Sequence, residues 1–249
     1  YGVGCLTVGE ILLTGGRTQE ADRYFDAGIQ VFRQLSEETR TVGARRDLAE
    51  SLARLGYLYR MEGNRQEAEN CFVESLGLRQ ELYAETGTAQ TTGDLGKGFR
   101  EMGEVLMAQG NLEEAEQYYE TSKELYESLQ EGNATLETRH LLAVACERLG
   151  DVAQAKGQLL EAEAHYREGL KAELVLKGET DSMEVKEATA DLYGKLGVLY
   201  QTSGNLAEAE RYFLEALQLY RQLIGTGNIS DKNLQFFTHA RLQGSRSGS

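Results

Sequence analysis

Few residues in this chain could do covalent chemistry: of its 249 residues three are histidine, at 140, 165 and 239, and three are cysteine, at 5, 71 and 146. A nucleophile needs a base beside it, and a zinc site needs several nitrogen or sulfur ligands at short spacing. His140 and His239 have no neighbours that complete a metal site, and His165 falls among Tyr24, Cys71, Tyr118 and Tyr212 in a recurring position, as a packed helix residue would. Cys5 and Cys146 share the position of Leu52, Phe99 and Tyr193, so the cysteines read as small core residues. Gly-Arg-Thr at 16–18, Gly-Asn-Arg at 63–65 and Gly-Asn-Leu at 110–112 lack the lysine and hydroxyl order of a phosphate loop. No catalytic residue, cofactor site or metal site is assigned.

What recurs is the scaffold. Gly16, Gly63, Gly110, Gly157 and Gly204 stand 47 residues apart, and so do Gly9, Gly56, Gly103, Gly150, Gly197 and Gly244. Ala21, Ala68, Ala115, Ala162 and Ala209 keep the same step, as do Phe25, Phe72, Tyr119, Tyr166 and Phe213, and Leu35, Leu82, Leu129, Leu176 and Leu223. A period of this size marks a solenoid, in which each unit buries its apolar face on its neighbours and presents an extended surface.

Each period holds two helices. Leu52, Leu55, Gly56 and Tyr59 fall at i, i+3, i+4 and i+7, one stripe of a first helix that ends at Gly63, where glycine can turn left-handed. Ala68, Phe72 and Leu76 begin a second, long helix. Asn64 with Glu67, Asn111 with Glu114 and Asn205 with Glu208 have the spacing of a capping box. The expected fold is therefore all-α, a solenoid of antiparallel helix pairs.

Leu55-Gly56, Tyr59, Gly63, Ala68 and Phe72, repeated five times, resemble the tetratricopeptide repeat. The usual repeat is ~34 residues; the longer period here is similar to the elongated repeats of kinesin light chain, and the proline that commonly ends the second helix is absent from the whole chain. The resemblance implies a right-handed superhelical solenoid of five repeats over 1–230, bounded near 1–40, 41–88, 89–135, 136–182 and 183–230. A sixth first helix at 231–243, with Leu234, Phe236, Phe237 and Ala240, would act as a C-terminal cap before a disordered tail at 244–249.

The resemblance also implies a concave groove lined by the first helices. In register, its candidate partner-binding residues are Glu50, Arg54, Tyr57, Arg60 and Met61, then Lys97, Arg100, Glu101, Glu104 and Met107. Glu147, Arg148, Asp151 and Gln154 follow, with Asp191, Lys195, Val198 and Gln201. Asparagines that family members use to clamp a carboxylate are replaced by Tyr57, Glu104, Asp151 and Val198, so that chaperone role is not carried over. Arg54, Glu101 and Arg148 could instead pair with one another along the groove wall.

With 40 acidic and 26 basic residues the formal charge is −14, which disfavours nucleic acid and anionic membranes. The acidic excess, as in Glu113, Glu114 and Glu116, is read as solvation. An odd cysteine count suggests a reducing, cytoplasmic setting. The N-terminal helix is short and carries Ile11, Leu12 and Leu13 together, so end-to-end self-association through uncapped terminal repeats is a further expectation. The function expected is a non-catalytic scaffold binding a protein or peptide; the alternative is a sensor arm of a larger signalling protein whose ATPase or protease lies elsewhere.

Overall fold

The computed structural model describes residues 2–224, and every regular element among them is an α-helix. First helices are α1 (Gly2–Thr14), α3 (Val42–Glu62), α5 (Ala89–Gln109), α7 (Leu136–Ala155) and α9 (Met183–Thr202). Second helices are α2 (Thr18–Thr39), α4 (Arg65–Thr86), α6 (Leu112–Asn133), α8 (Leu159–Glu179) and α10 (Leu206–Ile224). Residues 231–249, with the expected sixth helix, the tail and His239, lie outside the described residues.

The glycine at the end of each first helix has the left-handed backbone the sequence calls for, φ being 83° at Gly63 and 84° at Gly110. The chain then reverses within one residue, with the Asn64 N–H reaching the Tyr59 carbonyl at 2.8 Å and the Asn111 N–H the Leu106 carbonyl at 2.9 Å. The asparagine capping boxes are not uniformly realised. Asn64 makes no side-chain cap bond; its amide donates to Glu62 at 3.1 Å, whereas Asn205 accepts from the Glu208 N–H, at 3.4 Å. Full capping boxes sit on first helices instead, Thr88 with Thr91 and Thr135 with Thr138.

Helix pairs are held by a contact between two of the ladders. The glycine ladder of the first helix faces the aromatic ladder of the second: a Cβ added at Gly9, Gly56, Gly103, Gly150 or Gly197 would stand 2.2 to 2.9 Å from the ring of Phe25, Phe72, Tyr119, Tyr166 or Phe213. Each ring is only 1% exposed, and burying one is worth about 1.5–3 kcal/mol. A second close approach involves the register of Gly28, Ser75, Ser122 and Gly169. Ser75 donates to the Ala49 carbonyl at 2.7 Å and Ser122 to the Gly96 carbonyl at 2.8 Å, while Gly169 leaves no room for a side chain above the Ala143 carbonyl.

The chain divides into two compact units, 1–125 and 126–249, the boundary falling within α6. In the first, Phe25, Ile29 and Phe32 of α2 pack with Leu48, Leu52 and Leu55 of α3, and Phe72 and Leu76 of α4 with Leu95, Met102 and Val105 of α5. In the second, Tyr166 and Leu170 of α8 pack with Leu192, Leu196 and Leu199 of α9, and Phe213, Leu217 and Tyr220 of α10 with Ala190 of α9. The leucine ladder is buried at Leu82, Leu176 and Leu223, but Leu35 is 41% exposed. Val8 and Ile11 on α1 are also open, at 38% and 65%.

Candidate functional site

The first helices carry charges at the positions left free by the core stripe, and in each unit several of these charges stand in ion pairs. In the first unit Glu104 receives Arg60 at 2.8 Å and Arg100 at 2.5 Å, and Arg60 also lies over the Tyr57 ring, 4.9 Å from its centroid. Tyr57 meets Phe72 edge-on at 5.1 Å, and burial pushes its hydroxyl up to about 12. Arg54 approaches Glu10 at 3.4 Å. Met61 is 80% exposed, and Met107 is half-buried.

Glu101 does not line an accessible face. It is buried against Arg79 of α4, whose Nη1 stands 2.8 Å from Glu101 Oε2 and whose Nη2 is 3.4 Å from Glu50. Burial raises the Glu101 carboxyl, and Arg79 pulls it the other way. Arg54 pairs with Glu10, Glu101 with Arg79, and Arg148 with Glu147 and Asp151.

A shallow depression of about 230 Å³ lies beside this pair, lined by Arg46, Asp47, Glu50, Asp94 and Lys97 along with Ala49 and Arg79. Arg46 is engaged by Asp94 at 2.6 Å. Lys97, half-buried, is in no ion pair among the described residues.

In the second unit two cations converge on one pair of carboxylates. Lys195 of α9 reaches Glu147 at 2.6 Å and Asp151 at 2.5 Å on α7, and Arg148 holds the same two carboxylates at 3.2 and 3.1 Å. The Tyr166 hydroxyl lies 2.8 Å from Asp151 Oδ1 and 2.9 Å from Gln154 Oε1, donating to one at a time. Asp191 accepts from the Tyr220 hydroxyl, while burial raises its carboxyl. Val198 and Gln201 are half-buried.

Two polar residues that the first helices gave no reason to notice sit on second helices, in one register: Phe32, Arg79, Tyr126, Glu173 and Tyr220. Glu173 is fully buried, 2.7 Å from His140 Nδ1, and His140 Nε2 is 3.5 Å from Glu184. The histidine thus has a carboxylate partner that lies far away in sequence. Its hydrogen bond to Glu173 holds the imidazolium above the ordinary histidine range. Because folding raises this value, the pair stabilises fully below about 6.5, the unfolded histidine value. That contribution is lost as pH rises through the higher folded value. The unfolding midpoint of the chain should accordingly fall between pH 6 and pH 9, and His140→Gln should flatten that slope in thermal melts; an unchanged slope would mean the pair does not titrate with folding.

Among the described residues, no group of three histidine, cysteine or carboxylate side chains is placed to hold a metal, and no helix is long and apolar enough to cross a membrane. The three cysteines are buried, with the Cys71 thiol pushed up to about 11 by burial.

Sequence comparison decides the family. Models described as tetratricopeptide repeat match residues 98–172 and residues 48–85 and 189–230, together more than half of the chain. The chain belongs to the tetratricopeptide repeat family. No curated protein matches it by sequence. Among solved structures, this tetratricopeptide repeat chain is similar to BtubC (BKLC) from P. vanneervenii, with a TM-score of 0.71 and 20% identity over 90% of this chain and 81% of that one. A Podosopora anserina putative kinesin light chain with nearly identical TPR-like repeats gives 0.59 and 16% over 88% and 95%. Aspartyl phosphate phosphatase F from Bacillus subtilis gives 0.71 and 11%, with 95% of this chain covering 54% of that protein. At such identities these likenesses establish the tetratricopeptide fold and nothing finer.

Proposed function

We propose that this chain is a non-catalytic interaction scaffold that binds a peptide or an amphipathic helix on its first helices, and that the contact is made by α3 and α5. The observation that carries this reading is Lys97. Its counterpart positions in the second unit are occupied by Val144 and Asp191, and the charged side chains around those are locked in the Lys195 and Arg148 network. Lys97 by contrast has an ammonium without an ion pair, at the edge of a depression, with Arg54 and Met61 exposed on the neighbouring helix.

A ligand carboxylate on Lys97 and an apolar side chain against Met61 would use what the protein leaves unsatisfied, which is how peptide grooves combine orientation with contact area. Arg54 and Met61 are exposed and Lys97 is half-buried, so the triple variant Arg54→Glu/Met61→Glu/Lys97→Glu should keep the parent's helical circular dichroism, and a thermal melt checks that it is folded at the assay temperature. A protein captured from lysate by the parent and released by this variant, with affinity reduced about tenfold or more on isothermal titration, supports the scaffold. Equal capture by both rules out this face. Capture of nothing by either favours the alternative, a regulatory arm acting on another part of its own polypeptide.

A further inference from the structure

We infer that the outer face of α8 is a second docking site, for an acidic amphipathic helix of a protein partner. Two second helices 47 residues apart show why. The exposed stripe of α6 reads Glu113, Gln117, Glu120, Glu124, Glu127 and Glu131, an ordinary solvated face. At the same register α8 has Leu160, Ala164, Arg167, Lys171, Leu174 and Gly178, all exposed. The glutamates have been exchanged for two cations, two leucines and a glycine on one side of one helix. Positions separated by 7, 11 and 14 residues lie within a narrow arc of a helix, so Leu160, Arg167, Lys171 and Leu174 form a single line.

The line borders a cavity. An open depression of about 450 Å³ is lined by Leu170, Leu174 and Val175 of α8 and by Tyr212 of α10, with Arg167 and Lys171 on its rim. Leu160, Leu174 and Val175 are 86%, 41% and 47% exposed. Single exposed leucines need no explanation, but a contiguous apolar surface with a charged rim is the usual form of a helix-receiving groove. The rim selects the sign of the partner. Lys171 is in no ion pair among the described residues, and Arg167 shares Glu163 at 2.9 Å with a bond to the Tyr200 hydroxyl at 2.7 Å. In a chain of formal charge −14, a cationic rim favours an acidic ligand locally while the rest of the surface repels it. An anionic membrane would call for a cluster of about four to eight basic residues, more than this stripe supplies, and a hollow of about 450 Å³ has room for leucine or phenylalanine side chains from one face of a helix.

The test is a displayed library of helix-forming peptides selected on the full chain and counter-selected against Lys171→Glu/Leu174→Glu. Both positions are exposed, and circular dichroism checks that the variant is folded. The expected survivors pair a leucine or phenylalanine with acidic residues three or four positions away, and bind the parent about tenfold or more tighter than the double variant in fluorescence anisotropy. They should bind Arg54→Glu/Lys97→Glu as they bind the parent, which separates this site from the one on α3 and α5. Survivors without acidic residues, or an absence of peptides that distinguish parent from variant, would overturn the inference. Phosphatidylserine vesicles that bind the parent but not the variant would overturn it in favour of a membrane surface.

Discussion

Glu101→Ala is expected to cost about 3–5 kcal/mol of stability, the penalty for removing one member of a buried ion pair. The side chains of Arg79 and Glu101 are 3% and 6% exposed, so neither can turn to water when the other is lost. Arg79 would keep only Glu50, at 3.4 Å and largely solvated, as a charged partner. The loss comes chiefly from stranding the guanidinium rather than from the strength of the pair, and this distinction can be measured. Replacing both residues with apolar ones, as Arg79→Met/Glu101→Leu, should recover most of the stability, because the double change removes both desolvation costs together with the attraction. Urea unfolding followed by circular dichroism gives the comparison. A loss below about 1 kcal/mol for Glu101→Ala, the range of exposed pairs, would show that the pair is solvated.

The second large effect is expected at the glycine sockets. Gly150→Val should destabilise by about 3 kcal/mol, at the upper end of ordinary overpacking, since even the first added carbon would lie 2.4 Å from two atoms of the Tyr166 ring. The ring has no easy way to retreat, being buried and held through its hydroxyl near Asp151 and Gln154. Gly77 provides the opposite case. It lies inside α4 with nothing within 4 Å of an added Cβ, so Gly77→Ala should stabilise by about 0.8–1.0 kcal/mol through helix propensity alone. Thermal melts of the two variants should move in opposite directions; a Gly150→Val protein as stable as the parent would rule out the socket.

The helix pairs were legible because their markers are local: a glycine that must turn left-handed and apolar residues at helical spacing need no knowledge of the partner. The contact between ladders was harder to see. Glycine and ring lie on different helices, and each ladder by itself is consistent with many packings; the constant offset from Gly9 to Phe25 and from Gly150 to Tyr166 was the available signal. The caps follow the pattern only in part. Asn64 donates its amide NH2 to Glu62 while its oxygen caps nothing, whereas Asn205 accepts from the Glu208 N–H and Thr88 and Thr135 each find a threonine three residues on.

The candidate site was only partly legible. The first-helix positions were assigned from one face of one helix, but a neighbouring second helix decides which of them are covered, as Arg79 covers Glu101. Arg79 and Glu173 could have been found by their register, where Phe32, Tyr126 and Tyr220 make a charged residue conspicuous. The α8 stripe was similarly available from the comparison of Arg167 and Lys171 with Glu120 and Glu124, where the register changes sign within an acidic chain.

The sockets and the buried pair constrain the chain's history differently. A socket is complete within one helix pair, so a 47-residue unit could be gained or lost without spoiling any ring's seat. Arg79 instead reaches from its own repeat to the first helix of the next repeat, and the residue at the Glu101 position one period later is Arg148. Deleting residues 89–135 in frame would leave every socket intact and set Arg79 against Arg148, like charge against like. The order of the repeats is thereby written into the interior, and a crossover between them that looks silent in the ladders would be rejected at that one position.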